Sequence, residues 1–132
     1  MGTHGPQNWP ERVITARQAE NSPLHVVPDD AEMLPFWSHS GEGAQRGVKF
    51  RWTDSDGKTN VFHAHDVDGT APAGSNPSHG PIYRHKVGNK YRMQDGDFAH
   101  PQCTNPNSPN YNPDHANATH MPWPADVPLP WS

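Results

Sequence analysis

A single cysteine, Cys103, stands in the 132 residues, so no internal disulfide staples the chain, and a reducing compartment is compatible with its folding. Apolar residues make up only 31%, and no stretch approaches the roughly 18 apolar residues of a membrane span. The start, MGTHGPQNWP, lacks the basic and apolar regions of a signal peptide and reads as the cut end of something longer. What remains is one domain's length of chain around a small core. In place of apolar residues there are sixteen prolines, eleven glycines and ten histidines. Each proline removes a backbone donor and disfavours helix in the residue before it, so the expectation is short strands and ordered loops.

The net charge of -4 argues against nucleic acid only until its distribution is considered. Residues 1–40 hold Arg12 and Arg17 against Glu11, Glu20, Asp29, Asp30 and Glu32, whereas from Ile82 to Gln94 there are two lysines, two arginines, one histidine and no acid. Residues 1–40 read as a proline-punctuated lead-in or linker. Its apolar clusters are LHVVP and MLPFW, and one short helix fits between Arg12 and Asn21. Residues 41–132 hold the pattern of a folded, chemistry-bearing domain.

From Gly47 the apolar residues alternate, in GVKFRWT and again in TNVFHAH. Between them Asp54-Ser55-Asp56-Gly57 has the composition of a type I turn followed by a left-handed glycine. A two-residue turn would mix histidines into an aromatic face. A three-residue loop, Ser55 to Gly57, pairs Phe50 with Phe62 and Lys49 with His63. It leaves Val48, Phe50, Trp52, Phe62 and Ala64 on one face, and Lys49, Arg51, His63 and His65 on the other. A one-residue slip exchanges the faces, so the register that separates apolar from basic residues is expected, with Val61 alone misplaced. This puts His63 and His65 on a solvated, cationic face. A second hairpin, IYRHKVGNKYRM, turns at Gly88-Asn89 in type II′ geometry and sets Lys86 opposite Tyr91 and His85 opposite Arg92. The predicted fold is all-β or β-rich α+β: a small domain of antiparallel hairpins with long ordered loops and an extended N-terminal lead-in. In the long segment after the hairpins, Tyr111, Met121 and Trp123 are candidates to pin the chain to the sheet.

Two chemistries suit the histidine pair. As i and i+2 residues of a strand, His63 and His65 leave the same face and can chelate a metal, with Asp66, Asp68, His115 or His120 completing the set. No compact second motif accompanies them, and Lys49 opposite His63 repels a cation. The same neighbour attracts a phosphate, and RNA is cleaved without metal when one group takes the 2′-hydroxyl proton, another protonates the leaving oxygen and cations stabilise the phosphorane. Histidine serves both proton roles because its ordinary pKa of about 6.5 lies near working pH. Arg84, Lys86 and Lys49 supply charge, and Tyr91 donates a hydrogen bond or stacks on a base. No metal or other cofactor is expected. Cys103, a lone thiol in a proline-rich loop, is a weak candidate nucleophile.

From Gly47 to about Trp123, some three fifths of the chain, the sequence resembles the C-terminal domains of bacterial polymorphic toxins, specifically polymorphic toxin type 30. The resemblance lies in GVKFRW, in His65-Asp66-Val67-Asp68 followed by Ala71-Pro72 and Gly74-Ser75-Asn76, in Arg84, in Lys90-Tyr91 and in Asn117-Ala118-Thr119-His120-Met121-Pro122. It implies a strand-rich ribonuclease toxin, carried by a larger secreted polypeptide into the cytoplasm of a target bacterium and neutralised by a cognate immunity protein. His65, Asp68, Asn76, Arg84, Tyr91 and His120 match the family pattern, while His63 rests on strand geometry alone. The expected site therefore has His65 and His120 as acid and base and Arg84 with Lys49 on the phosphate. Asp68 orients His65, and Asn76 and Lys86 hold substrate. The alternatives are a metal-dependent nuclease built on His63 and His65, and a toxin that binds a partner without catalysis.

Overall fold

Alternation decides the central hairpin. In the computed structural model, which describes residues 3–4, 6–36, 44 and 46–131, strand β3 (Gly47–Thr53) pairs antiparallel with β4 (Thr59–His65). Phe50 lies opposite Phe62, Lys49 opposite His63 and Thr53 opposite Thr59, the register predicted from the segregation of apolar and basic side chains. The loop closes with Gly57 donating to the Asp54 carbonyl at 3.0 Å, and Gly57 takes the left-handed φ of 78° that an L side chain resists. The Asp54 carboxylate accepts from the amides of Asp56 and Lys58 and from the Asn60 side chain, which holds its pKa below the usual value.

Strand β5 (Ile82–Val87) adds to the far side of β4, setting His63 opposite Arg84 and His65 opposite Ile82. It turns into β6 (Lys90–Tyr91) with Lys86 opposite Tyr91, as expected. At the turn Gly88 has φ 63° and Asn89 does not have a positive φ, which is type II′ geometry. The described sheet has seven strands in the order β1 (Thr3–His4), β2 (Glu32–Leu34), β3, β4, β5, β6, with β7 (Met121–Pro122) also on β5. β6 and β7 share the outer edge of β5, one at each end: Lys86 and Val87 pair with β6, Ile82 and Tyr83 with β7. Helices are short: α1 (Glu11–Gln18), α2 (Asn76–His79) and α3 (Pro113–Ala118), with 3-10 turns at Pro6–Asn8 and Pro23–Val26. The fold is thus β-rich α+β.

One face of the sheet is the core. Val48, Phe50, Phe62 and Ala64 are buried there against Trp9, Val13, Ala16, Leu24, Val27 and Ala31 from the N-terminal third and Trp123 and Val127 from the C-terminal end. Fully burying a side chain such as Leu24 or Val27 stabilises the fold by about 1.5–3 kcal/mol. Residues 1–40, expected as a lead-in, therefore furnish half of the core cluster, and β2 extends the sheet beside β3. The expected boundary between residues 40 and 41, like Trp37 and His39, lies outside the described residues. Gly47 opens β3 because a Cβ there would sit 2.5 Å from the Ala64 carbonyl and 2.8 Å from the Phe36 ring.

The opposite face carries Lys49, His63, His65 and Arg84. It was expected to be solvated. Instead the segment after β6 returns across it, because β7 must reach β5, and its Thr119, fully buried, bonds Arg84. Met121 and Trp123 pin this segment as expected, whereas Tyr111 is 45% exposed and pins nothing. A second small cluster, Met93, Ala99 and Cys103 with Ala116 and Ala118, supports it from below.

Candidate active site

Sheet register assembles the site. Lys49, His63 and Arg84 occupy one row across β3, β4 and β5. β7 pairs Met121 with Tyr83, so continuing the antiparallel count by one residue sets His120 beside Arg84. His65 lies two residues from His63 on the same face, their ring centroids 6.1 Å apart. The convergence of His63, His65, Arg84 and His120 is also electrostatic. Arg84 and His65 each help lower the His120 pKa, and Arg84, His65, Lys49 and His120 each help lower that of His63.

Arg84 is the centre. Its guanidinium lies 3.6 Å over the Tyr91 ring and donates one hydrogen bond, from Nη2 to Thr119 Oγ1 at 3.2 Å. Its Nε is buried without a partner, and among the described residues no carboxylate pairs with it. Burial pulls its pKa below the ordinary value. A buried cation with idle donors and no counter-ion is costly unless an anion completes it.

The two imidazoles expected to move protons are held alike. His65 Nδ1 lies 2.8 Å from the Asp66 carbonyl and His120 Nδ1 2.8 Å from the Ala116 carbonyl. A carbonyl only accepts, so Nδ1 carries the proton in both rings and Nε2 is left as the exchanging nitrogen. Among the described residues neither Nε2 has a hydrogen-bond partner. Burial, then the Arg84 charge, pulls His120 down to about 4, and the same causes in the same order take His63 down to about 3. Both are neutral at pH 7. His63 sits among Lys49, Arg84, His65 and Tyr91, with the Tyr91 ring centroid 6.5 Å from its own.

The Asp68 carboxylate accepts from the Thr70 hydroxyl and amide, which lowers its pKa, and the nearby His65 and His120 lower it further, while His65 Nδ1 itself bonds the Asp66 carbonyl. Asp66 itself is engaged by Arg46 and by the Val67 amide. The Asn76 side-chain amide donates to the backbone carbonyls of residues 117 and 120. One face of Tyr91 is covered by Arg84, with the Lys86 ammonium 5.8 Å from its ring, so the ring steadies cations before it can stack on a base. Thr119 and Asn117, which hold Arg84 and the closing segment, were given no chemistry by sequence reasoning, because a hydroxyl and an amide in an Asn/Pro-rich stretch carry no spacing signal. His85 leaves the other face of the sheet, where it is pulled down to about 4 by burial and bonds Asn60 at 2.7 Å. Cys103 is buried near Arg84 in an apolar cluster. Among the described residues no three His, Cys, Asp or Glu side chains are grouped to hold a metal ion, and no helix is long and apolar enough to cross a membrane.

The arrangement is a cationic cluster with two pinned imidazoles, suited to an anionic ester. No curated protein and no solved structure matches the chain. The model of one family, described as bacterial toxin 30, matches residues 22–124. That span covers most of the sheet, α2, α3 and every residue of the cluster, and by it the chain belongs to the bacterial toxin 30 family and is a bacterial toxin domain.

Proposed function

We propose that this toxin domain is a metal-independent endoribonuclease that uses His65 and His120 as its acid–base pair. The observation that carries the reading is the buried Arg84, with its Nε unpartnered, between two imidazoles whose Nε2 atoms are left free by Nδ1 bonds to backbone carbonyls. A phosphodiester supplies the missing anion: its non-bridging oxygens complete Arg84 and draw on Lys49 and the neutral His63. His120, neutral at rest, takes the 2′-hydroxyl proton at Nε2 as the oxygen attacks phosphorus. The phosphorane's charge falls on Arg84, and His65, entering the cycle as the imidazolium with a proton on each nitrogen, gives its Nε2 proton to the departing 5′-oxygen. The products are a 2′,3′-cyclic phosphate and a 5′-hydroxyl. Protonation then alternates between the rings to reset the site.

In this reading the domain travels as part of a larger secreted polypeptide, acts in the cytoplasm of a target cell and is held inactive in the producer by an immunity protein. Incubation with total RNA, with and without EDTA, tests the activity. Cleavage in both conditions is expected, and the absence of cleavage in either overturns the reading.

A further inference from the structure

The residues that place His120 come from the opposite end of the pocket. After His65 the chain leaves β4, and the Asp68 amide donates to the Pro77 carbonyl at 2.8 Å, folding the connection back so that α2 begins beside the closing segment. From there Asn76 makes three bonds. Its backbone amide donates to Asn117 Oδ1 at 2.8 Å, and its Nδ2 donates to the carbonyls of Asn117 at 3.3 Å and His120 at 2.9 Å. The closing segment has few apolar anchors of its own before Met121. Ala116 and Ala118 are only partly buried, and α3 has no buried residue. Its remaining ties are polar: Thr119 to Arg84 and to the Ala116 carbonyl, and the Gln94 amide to the Ala118 carbonyl.

We infer that Asn76 is a positioning residue that joins the two imidazole carriers, fixing the backbone of residues 117–120 against the β4–α2 connection so that His120 Nε2 faces the Arg84 pocket. It acts through the main chain and does not touch substrate. Its donors are used up on carbonyls, which is why an aspartate of the same shape cannot replace it: a carboxylate would face two carbonyl oxygens with no proton to offer. Misplacement of a reacting group by about 1 Å costs on the order of 10²-fold in rate, and that is the scale at stake.

The kinetic arm of the test rests on the ribonuclease reading, while a spectroscopic arm does not. Asn76→Ala and Asn76→Asp are compared with wild type for cleavage of an RNA oligonucleotide, and the His120 ring is followed by NMR titration. Both variants are expected to lower kcat by about 10- to 100-fold with KM within about threefold, and to move the His120 titration toward the ordinary histidine range while His85, on the other face, stays put. A rise in KM alone would make Asn76 a substrate contact and overturn the inference. So would an unchanged His120 titration, or loss of folding in both variants, which would make the residue a general structural support. If wild-type protein cleaves no RNA, the ribonuclease reading fails, yet the His120 titration still decides the role of Asn76.

Discussion

The guanidinium of Arg84 lies 3.6 Å over the ring of Tyr91, and this pair fixes the buried cation at the centre of the cluster. The ring face attracts the charge without competing for its N–H groups, so the donors stay available to an anion. Tyr91→Phe keeps the face and is expected to cleave RNA within about threefold of wild type. Tyr91→Leu removes it and is expected to raise KM and lower kcat/KM by roughly tenfold, the scale of about 1–2 kcal/mol for a desolvated cation–π contact. Steady-state kinetics on one oligonucleotide separates the two variants.

Stability and activity should part company at Arg84. The side chain is buried with one hydrogen bond and an unpartnered Nε, so the folded state gains little from its charge. Arg84→Met fills similar volume without burying a cation and is expected to leave stability unchanged or raise it by about 1–2 kcal/mol. The same variant should lose about 10²–10³-fold in kcat. Urea unfolding read beside the rate checks both.

Acidification should weaken the fold in a window set by the imidazoles. His63, His85 and His120 titrate at about 3, 4 and 4 in the folded chain, each lowered first by burial, against 6.5 for a free histidine. Between those values the unfolded chain binds protons that the folded chain refuses, so stability is full above pH 6.5 and falls as pH drops toward 4. The slope is at most about 1.4 kcal/mol per pH unit for each histidine. The lowered carboxyls of Asp54 and Asp68 act in the same direction, but only below 3.8. Denaturation at pH 7, 6 and 5 should show the loss, and His85→Leu, away from the pocket, should reduce its slope.

The N-terminal third is the least legible part of the sequence. Phe50 and Phe62 announce their register because a slip would send them to the basic face, and Gly88-Asn89 announces a turn because few residues accept a positive φ. Leu24, Val27 and Ala31 show no period of two or 3.6. They are buried by a 3-10 turn and a loop, and only contact with a distant strand reveals them as core. The site divides the same way. Lys49 opposite His63 follows from the hairpin, but Arg84 beside His63 depends on β5 pairing with β4, and the roofing by Thr119 and the use of Asn76 as a tie depend on where β7 lands on β5, a contact nearly 40 residues away along the chain.

Leu24→Ala tests whether that third belongs to the domain. Leu24 is fully buried among the residues that cover Phe50 and Phe62. The substitution is expected to cost about 2–5 kcal/mol. A loss below about 0.5 kcal/mol in chemical denaturation would mean that the segment is dispensable to the fold.

Product analysis after cleavage of a defined RNA tests the account at its centre, because only attack by the 2′-oxygen joins the proposed roles of the two imidazoles. Mass spectrometry should find a 2′,3′-cyclic phosphate and a 5′-hydroxyl, in EDTA as well as without it, with His65→Ala and His120→Ala each slowing their formation by about 10²–10⁴-fold. A 5′-phosphate product, cleavage at a 2′-deoxy position, or full activity in either histidine variant would contradict it.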